Sequence, residues 1–254
     1  MISSDPLVSR LRSAGCVFAE LEASELRAHV SPPDLEAAVR RRVAGEPLEY
    51  VVGWADFGGV RVRVRPPVFV PRPGAEPLVV LALSEVQRRG GRAVVVDVGC
   101  GSGAIAAAIG TAVPGATVLG TDADVDAVRC ARDNGVAVHL GDWLDALPTR
   151  WHRGVDVAVA HLPYVPTGAL DQVARDYREA EAATALDGGV DGLDPLRAVL
   201  TQLDRWLAPA GVLLTLAADA QTPAVRTVLD EVGRAGRPWD GDGLGAGSTF
   251  WRIW

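Results

Sequence analysis

Val94-Val95-Val96-Asp97-Val98-Gly99-Cys100-Gly101-Ser102-Gly103 is the stretch that decides the fold. A run of β-branched residues closes on an acid and three alternating glycines, and an alanine-rich segment from Ala104 to Ile109 follows. Continuous apolar, β-branched sequence marks a strand buried on both faces of a parallel sheet. Glycine lets the chain turn sharply and brings bare backbone against a ligand, and a helix N-terminus supplies unpaired N–H groups. The stretch therefore predicts strand, tight turn and helix start, built to hold a nucleotide-like cofactor.

Downstream the chain alternates strand and helix, the pattern of a parallel α/β sheet. Strands are expected at Ala116 to Thr121, Val136 to Leu140, Val155 to Ala160 and Gly211 to Leu216, with helices at Asp124 to Asn134, Pro195 to Leu207 and Thr222 to Ala235. After the glycine-rich Gly241 to Gly247, Ser248 to Trp254 alternates like the arm of a terminal hairpin. Upstream, Glu76 to Arg89 reads as a helix, Pro71-Arg72-Pro73-Gly74 as a rigid turn, and Tyr50 to Gly53 with Val60 to Val70 as a hairpin. Residues 5 to about 45 carry apolar residues at helical spacing, broken at Ser31-Pro32-Pro33-Asp34. The expected division is a helical N-terminal domain with its hairpin linker over 1–80 and an α/β domain over 81–254.

With 254 residues, 48% of them hydrophobic and 22% charged, the chain can bury a sizeable core. A net charge of −7 argues against sequence-independent nucleic-acid binding, which needs a basic face. All 25 basic residues are arginine. Three cysteines without a Cys-x-x-Cys pair point away from a disulfide framework and towards the cytoplasm. No apolar run reaches the ~18 residues of a membrane span, and the N-terminus shows no signal-peptide pattern. His29, His139 and His152 lack ligand spacing, so no metal site is expected. Cys100 reads as a small packing residue, and Trp251 and Trp254 are candidates for a partner surface.

Ligands of open α/β sheets bind at the carboxyl ends of the strands. Asp97, Asp122 and Asp142 all fall there, with Asp122 about 20 residues beyond the glycine turn, where an acid reaches ribose hydroxyls. Gly99, Gly101 and Ala104 also satisfy the dinucleotide pattern G-x-G-x-x-G/A. Two features favour S-adenosyl-L-methionine (SAM) over NAD: Asp97 stands before the turn, and Asp142 is placed to accept from an adenine amino group with Trp143 beside it for stacking. Candidate cofactor residues are Asp97, Gly99, Gly101, Gly103, Asp122, Asp142 and Trp143.

Most of the chain resembles the HemK/PrmC-type protein-(glutamine-N5) methyltransferases, in particular a PrmC-related, actinobacterial-like branch. Gly45-Glu46-Pro47-Leu48-Glu49-Tyr50 with Gly53 and Phe57 is similar to the family's segment before the hairpin. Val70-Pro71-Arg72-Pro73 and Glu76 resemble its "IPRPETE" element, and Ala185 to Leu193 resembles its "ALDGGxDGL" loop. The resemblance implies a Rossmann-like class I SAM-dependent methyltransferase: a seven-stranded, mostly parallel sheet with a small N-terminal helical domain and connecting β-hairpin.

The departure lies after the fourth central strand. The family carries Asn-Pro-Pro-Tyr, whose asparagine side chain and first proline carbonyl grip the glutamine amide; here the residues are His161-Leu162-Pro163-Tyr164. Gly74 and Ala75 also replace the Glu and Thr of the upstream element. Methyl transfer depends on holding nucleophile, methyl and sulfur in line, so loss of that grip implies a changed acceptor, a small molecule in place of a protein glutamine, as in specialised metabolism. His161, Pro163 and Tyr164 are the candidate catalytic residues, with His161 as orienting group or general base. Arg72, Pro73, Leu162 and Asp187 are the candidate substrate-binding residues. The alternatives left open are a non-methylating reaction on the same scaffold (elimination or cyclisation), a partner subunit, and a non-catalytic binding protein.

Overall fold

The computed structural model describes residues 5–239 and 247–254; the glycine-rich run expected from Gly241 lies, up to residue 246, outside them. Four helices open the chain: α1 (Pro6–Ser13), α2 (Ala19–His29), α3 (Leu35–Val43) and α4 (Leu48–Val52). Leu7, Leu11, Ala23, Leu26, Val39 and Val51 close their own apolar cluster, and Asp5 caps α1 by accepting from the Leu7 N–H. The expected strand at Tyr50 to Gly53 is instead α4, which starts behind Pro47 and ends at a left-handed Gly53. The hairpin begins one residue later, pairing β1 (Trp54–Phe57) with β2 (Val60–Arg63). Its inward side chains, Phe57 and Val62, pack into the core of the main sheet rather than among the helices.

The remaining elements are α5 (Glu76–Arg88), β3 (Val94–Val98), α6 (Ala104–Ala112), β4 (Thr117–Asp122), α7 (Val125–Asp133), β5 (Ala137–Leu140), β6 (Val155–Ala160), α8 (Arg175–Ala180), α9 (Asp194–Trp206), β7 (Leu207–Ala218), α10 (Thr222–Glu231), β8 (Gly236–Pro238) and β9 (Ser248–Ile253). Strands β3 to β9 form one seven-stranded sheet in the order β5-β4-β3-β6-β7-β9-β8. The first five are mutually parallel, and β9 runs antiparallel to both β7 and β8. This is the Rossmann-like class I methyltransferase fold. Successive residues of β3 point to opposite faces: Val95 joins the cluster under α5 and α6, while Val96 and Val98 join the one under α9 and α10.

Strand order reverses between β3 and β6, so the loops after these two strands diverge and leave a crevice at their carboxyl ends. Trp251 is fully buried, which removes it from any partner surface, whereas Trp254 is 43% exposed. No helix among the described residues is long and apolar enough to cross a membrane.

Candidate active site

The crevice holds a cleft of about 390 Å³ that extends from the glycine turn to the loop after β6. On one side the turn hangs from β4: the Gly99 and Cys100 N–H groups both donate to the Thr121 carbonyl. The Asp122 carboxylate accepts from Gly101 N–H at 2.8 Å and from Asp124 N–H at 2.9 Å, so it fixes the turn and the start of α7 together. Asp97 is buried and accepts from Ala106 N–H at 3.0 Å, tying the end of β3 to α6. Burial pushes the Asp97 carboxyl up to about 7, against the pull of that N–H, with Asp122 adding repulsion. Asp122 is raised too, by burial, and its N–H donors offset part of the rise.

Asp142 is exposed at the cleft wall and precedes Trp143, whose φ of 48° is uncommon for a residue with a side chain. That conformation lays the indole over the turn, where a Cβ on Gly99 would meet it at 3.4 Å. Gly101 has open space where a Cβ would be, so the backbone there stays bare towards a ligand. Gly103 does different work. It does not line the cleft, and a Cβ there would lie 2.8 Å from Val136, so it lets α6 pack against α7 and β5.

Four aspartates, Asp97, Asp122, Asp124 and Asp142, therefore line an apolar cleft, and no basic side chain is among the groups that set the protonation of Asp97 or Asp122. Buried negative charge without a counter-ion is costly. This donor set fits a cationic ligand that also presents hydroxyls, as SAM does with its sulfonium, ammonium and ribose. Among the described residues no cluster suits a metal ion.

On the other side, β6 delivers His161, Leu162, Pro163 and Tyr164 into the cleft. The His161 ring meets Phe69 edge-on at 5.4 Å and lies nearly parallel to Tyr164 at 6.0 Å. Its enclosure, and then the nearby Arg72 charge, lower its pKa to about 4, so it is neutral at physiological pH. A base that weak removes no proton from a hydroxyl, so orientation and late proton uptake are the roles open to it. Leu162 is 4% exposed and anchors the loop in the core beneath β6.

Of the expected substrate residues, Arg72 and Leu162 line the cleft, while Pro73 and Asp187 do not. Arg72 is already engaged: it donates to both Glu181 oxygens at 2.7 Å and to the Val70 carbonyl, between the rings of Phe69 and Tyr177. Pro73 is exposed and heads a short 3₁₀ turn. The Asp187 carboxylate accepts from the Thr167 hydroxyl and Gly189 N–H, holding the loop that braces Tyr164. In that brace Gln221 donates to the carbonyls of Tyr164 and Asp191, and Val165 donates its N–H to the Leu186 carbonyl and accepts from the Gly188 N–H. Sequence reasoning missed Phe69, Tyr177, Glu181 and Gln221. Phe69, a lone aromatic inside a proline-rich run, was the one with a local signal.

The methyltransferase small domain family model matches residues 77–147, from α5 to the turn after Trp143. A release factor glutamine methyltransferase of Bradyrhizobium diazoefficiens is 34% identical over 234 residues, covering 88% of this chain and 74% of that protein. A 4-amino-L-phenylalanine/4-methylamino-L-phenylalanine methyltransferase of Streptomyces pristinaespiralis is 37% identical, covering 84% of this chain and 76% of that protein. Among solved structures, a ribosomal protein L11 methylase of Lactobacillus delbrueckii subsp. bulgaricus shares the fold with a TM-score of 0.52 at 19% identity, covering 76% of this chain and 84% of that one.

Proposed function

We propose that this protein, which belongs to the HemK/PrmC family of release factor glutamine methyltransferases and is a SAM-dependent enzyme, transfers the methyl group to a nitrogen of a small molecule instead of a protein glutamine. The observation that carries the proposal is the neutral His161, wedged between Phe69 and Tyr164 where the family resemblance places an asparagine. A carboxamide side chain accepts through oxygen and donates two N–H bonds, which suits another amide. A neutral imidazole has one acceptor and one donor on a wider ring, and does not reproduce that grip. The relative named for 4-amino-L-phenylalanine supports the reading that this scaffold accommodates a small acceptor.

In this reading the turn from Gly99 to Gly101, Asp122, Asp142 and Trp143 hold SAM, with Asp97 beneath the turn. When bound, SAM supplies an electrophilic methyl on a cationic sulfur. The chain's own contribution is to align the acceptor nitrogen and keep water out of the apolar half of the cleft. The site is expected to operate in the cytoplasm.

Calorimetric titration with SAM and S-adenosylhomocysteine tests the cofactor half, and binding of neither would contradict it. The acceptor half is tested by the double substitution His161→Asn with Leu162→Pro. It is expected to raise methylation of a Gly-Gly-Gln peptide by at least about 10-fold while leaving the SAM Kd within about 3-fold. No gain, with SAM binding intact, would count against His161 and Leu162 as the determinants.

A pH dependence follows from Asp97. In the free protein its carboxyl is held up to about 7, and a nearby cation favours the ionised form. SAM binding is therefore expected to release a proton and to tighten as pH rises through 7, flattening above about 8. For stability the sign is opposite. A carboxyl raised above its unfolded value (about 4) makes ionisation costly in the folded state, so stability contributed below that value is lost as pH rises through 7. Calorimetry in buffers of different ionisation heats measures the proton. A SAM affinity that stays flat from pH 6 to 8 would contradict the assignment of Asp97 to the cofactor side.

A further inference from the structure

We infer that the cavity at the amino end of β7, at the opposite end of the sheet from the cofactor crevice, is a second ligand site that takes the phosphoryl group of a small phosphate monoester. Its residues lie outside the methyltransferase site, and it does not depend on that reading.

The cavity measures about 330 Å³ and lies where Leu207 to Val212 depart from regular pairing with β6. Arg153, Arg234 and Arg252 line it together with Trp254, and Asp204 is the one acid among the described lining residues. The three arginines come from separate elements: the turn before β6, the segment after α10, and β9. Arg153 holds a left-handed φ of 53°, and its N–H is tied to the Arg205 carbonyl.

Charge is the first ground. In a chain of net charge −7, this end of the sheet is short of anions. The Arg153 guanidinium has no side-chain partner among the described residues. The Arg234 side chain is only 17% exposed, yet its partner Asp204 is 94% exposed and heavily screened by water. Arg252 reaches Glu85 at 2.6 Å, but the same carboxylate also answers Arg88 and Arg89. Asp156 adds only a 4.0 Å contact to Arg89. Arg252 also stands directly opposite Arg237 on β8, and facing like charges destabilise a strand pair. Other enclosed arginines are better matched: Arg42 meets Glu22 and Asp176, and Arg72 holds both oxygens of Glu181. A partly buried guanidinium without a full counter-charge is costly. An anion in the cavity removes that cost.

Shape then selects among anions. A carboxylate offers two oxygens in one plane, which suits a single guanidinium fork. A phosphoryl dianion spreads three oxygens tetrahedrally, so it meets guanidinium groups arriving from different directions. The Trp254 ring is 43% exposed and centred 5.2 Å from the Arg252 guanidinium, a flat apolar surface beside the charge. That surface favours an ester carrying an organic group over free phosphate. The cofactor cleft, lined by four aspartates, repels the same anion.

Calorimetry on the whole protein at low salt tests the inference with phenyl phosphate, inorganic phosphate and benzoate as probes. One-to-one binding of phenyl phosphate is expected, at least about 3-fold tighter than inorganic phosphate and about 10-fold tighter than benzoate. Arg153→Gln changes an exposed side chain. It is expected to weaken phenyl phosphate by at least about 10-fold, the scale of a hydrogen bond to a charged group. Trp254→Ala is expected to remove the preference over inorganic phosphate. Arg40→Gln removes an exposed arginine on α3, controls for overall charge, and is expected to leave binding unchanged. No binding of phenyl phosphate, unchanged binding in Arg153→Gln, or an equal loss in Arg40→Gln overturns the site. Inorganic phosphate bound as tightly overturns the ester, and benzoate bound as tightly overturns the phosphoryl group.

Discussion

Asp122→Ala weakens SAM binding by at least about 10²-fold while unfolding changes by only a few degrees. The carboxylate does two jobs: it accepts from Gly101 N–H and Asp124 N–H, and on the cofactor reading it also receives ribose hydroxyls. Hydrogen bonds to a charged group contribute about 1.5–3 kcal/mol each, and every 1.4 kcal/mol is about tenfold in Kd. Alanine leaves the bare edge of the turn at Gly101 without its anchor, so the backbone that must approach the ligand loses its fixed shape. Stability suffers less, because the freed N–H groups border the cleft and water replaces the carboxylate. Asp122→Asn keeps an acceptor oxygen and is expected to fall between the two. A SAM Kd unchanged in Asp122→Ala, read by calorimetry, would contradict the placement of the cofactor on this turn.

Gly192→Ala acts on the other half of the cleft through the fold. Gly192 has φ +78°, and a methyl there would sit 2.2 Å from the Tyr164 carbonyl oxygen and 2.3 Å from Gln221 Nε2. The left-handed conformation costs about 1–2 kcal/mol, overpacking about 1–3 kcal/mol, and displacing Gln221 from the carbonyls of Tyr164 and Asp191 about 1 kcal/mol for each bond. The expected loss in urea unfolding is about 4 kcal/mol or more. Gly168→Ala is the control, since a Cβ there meets nothing within 4 Å, and it is expected to be near neutral. If Gly192→Ala cost under about 1 kcal/mol, the brace behind Tyr164 would not be rigid.

Much of the geometry around the glycine turn was legible because its determinants are local. A β-branched strand, a glycine turn and acids at successive strand ends are all set by neighbours in sequence, and the parallel register of β3, β4 and β5 carries Asp97, Asp122 and Asp142 to one edge. The glycines read alike, yet Gly101 borders open space while Gly103 packs against Val136; only the crossing of α6 and α7 separates them. The substrate half was far less legible. Arg72 reads as a substrate-binding residue until Glu181, 109 residues away, is seen to hold it. Asp187 reads as a substrate ligand until the Thr167 hydroxyl and Gly189 N–H are found on its carboxylate. Strand β7 starts at Leu207, earlier than the expected Gly211, through an irregularity: Leu207 pairs with Val155 before Val212 takes up pairing with Val157.

On the proposed function, the cofactor platform is kept and the acceptor grip is replaced. The cofactor side retains its turn, its acids and its indole. The acceptor side exchanges an amide-reading asparagine for a neutral imidazole in an aromatic slot. The measurement that tests this most directly is methyl transfer from labelled SAM to a Gly-Gly-Gln peptide, with SAM binding to the same protein confirmed by calorimetry. SAM binding together with no methylation of the peptide above the rate without enzyme is the result expected here. Efficient methylation of the peptide glutamine would contradict the change of acceptor.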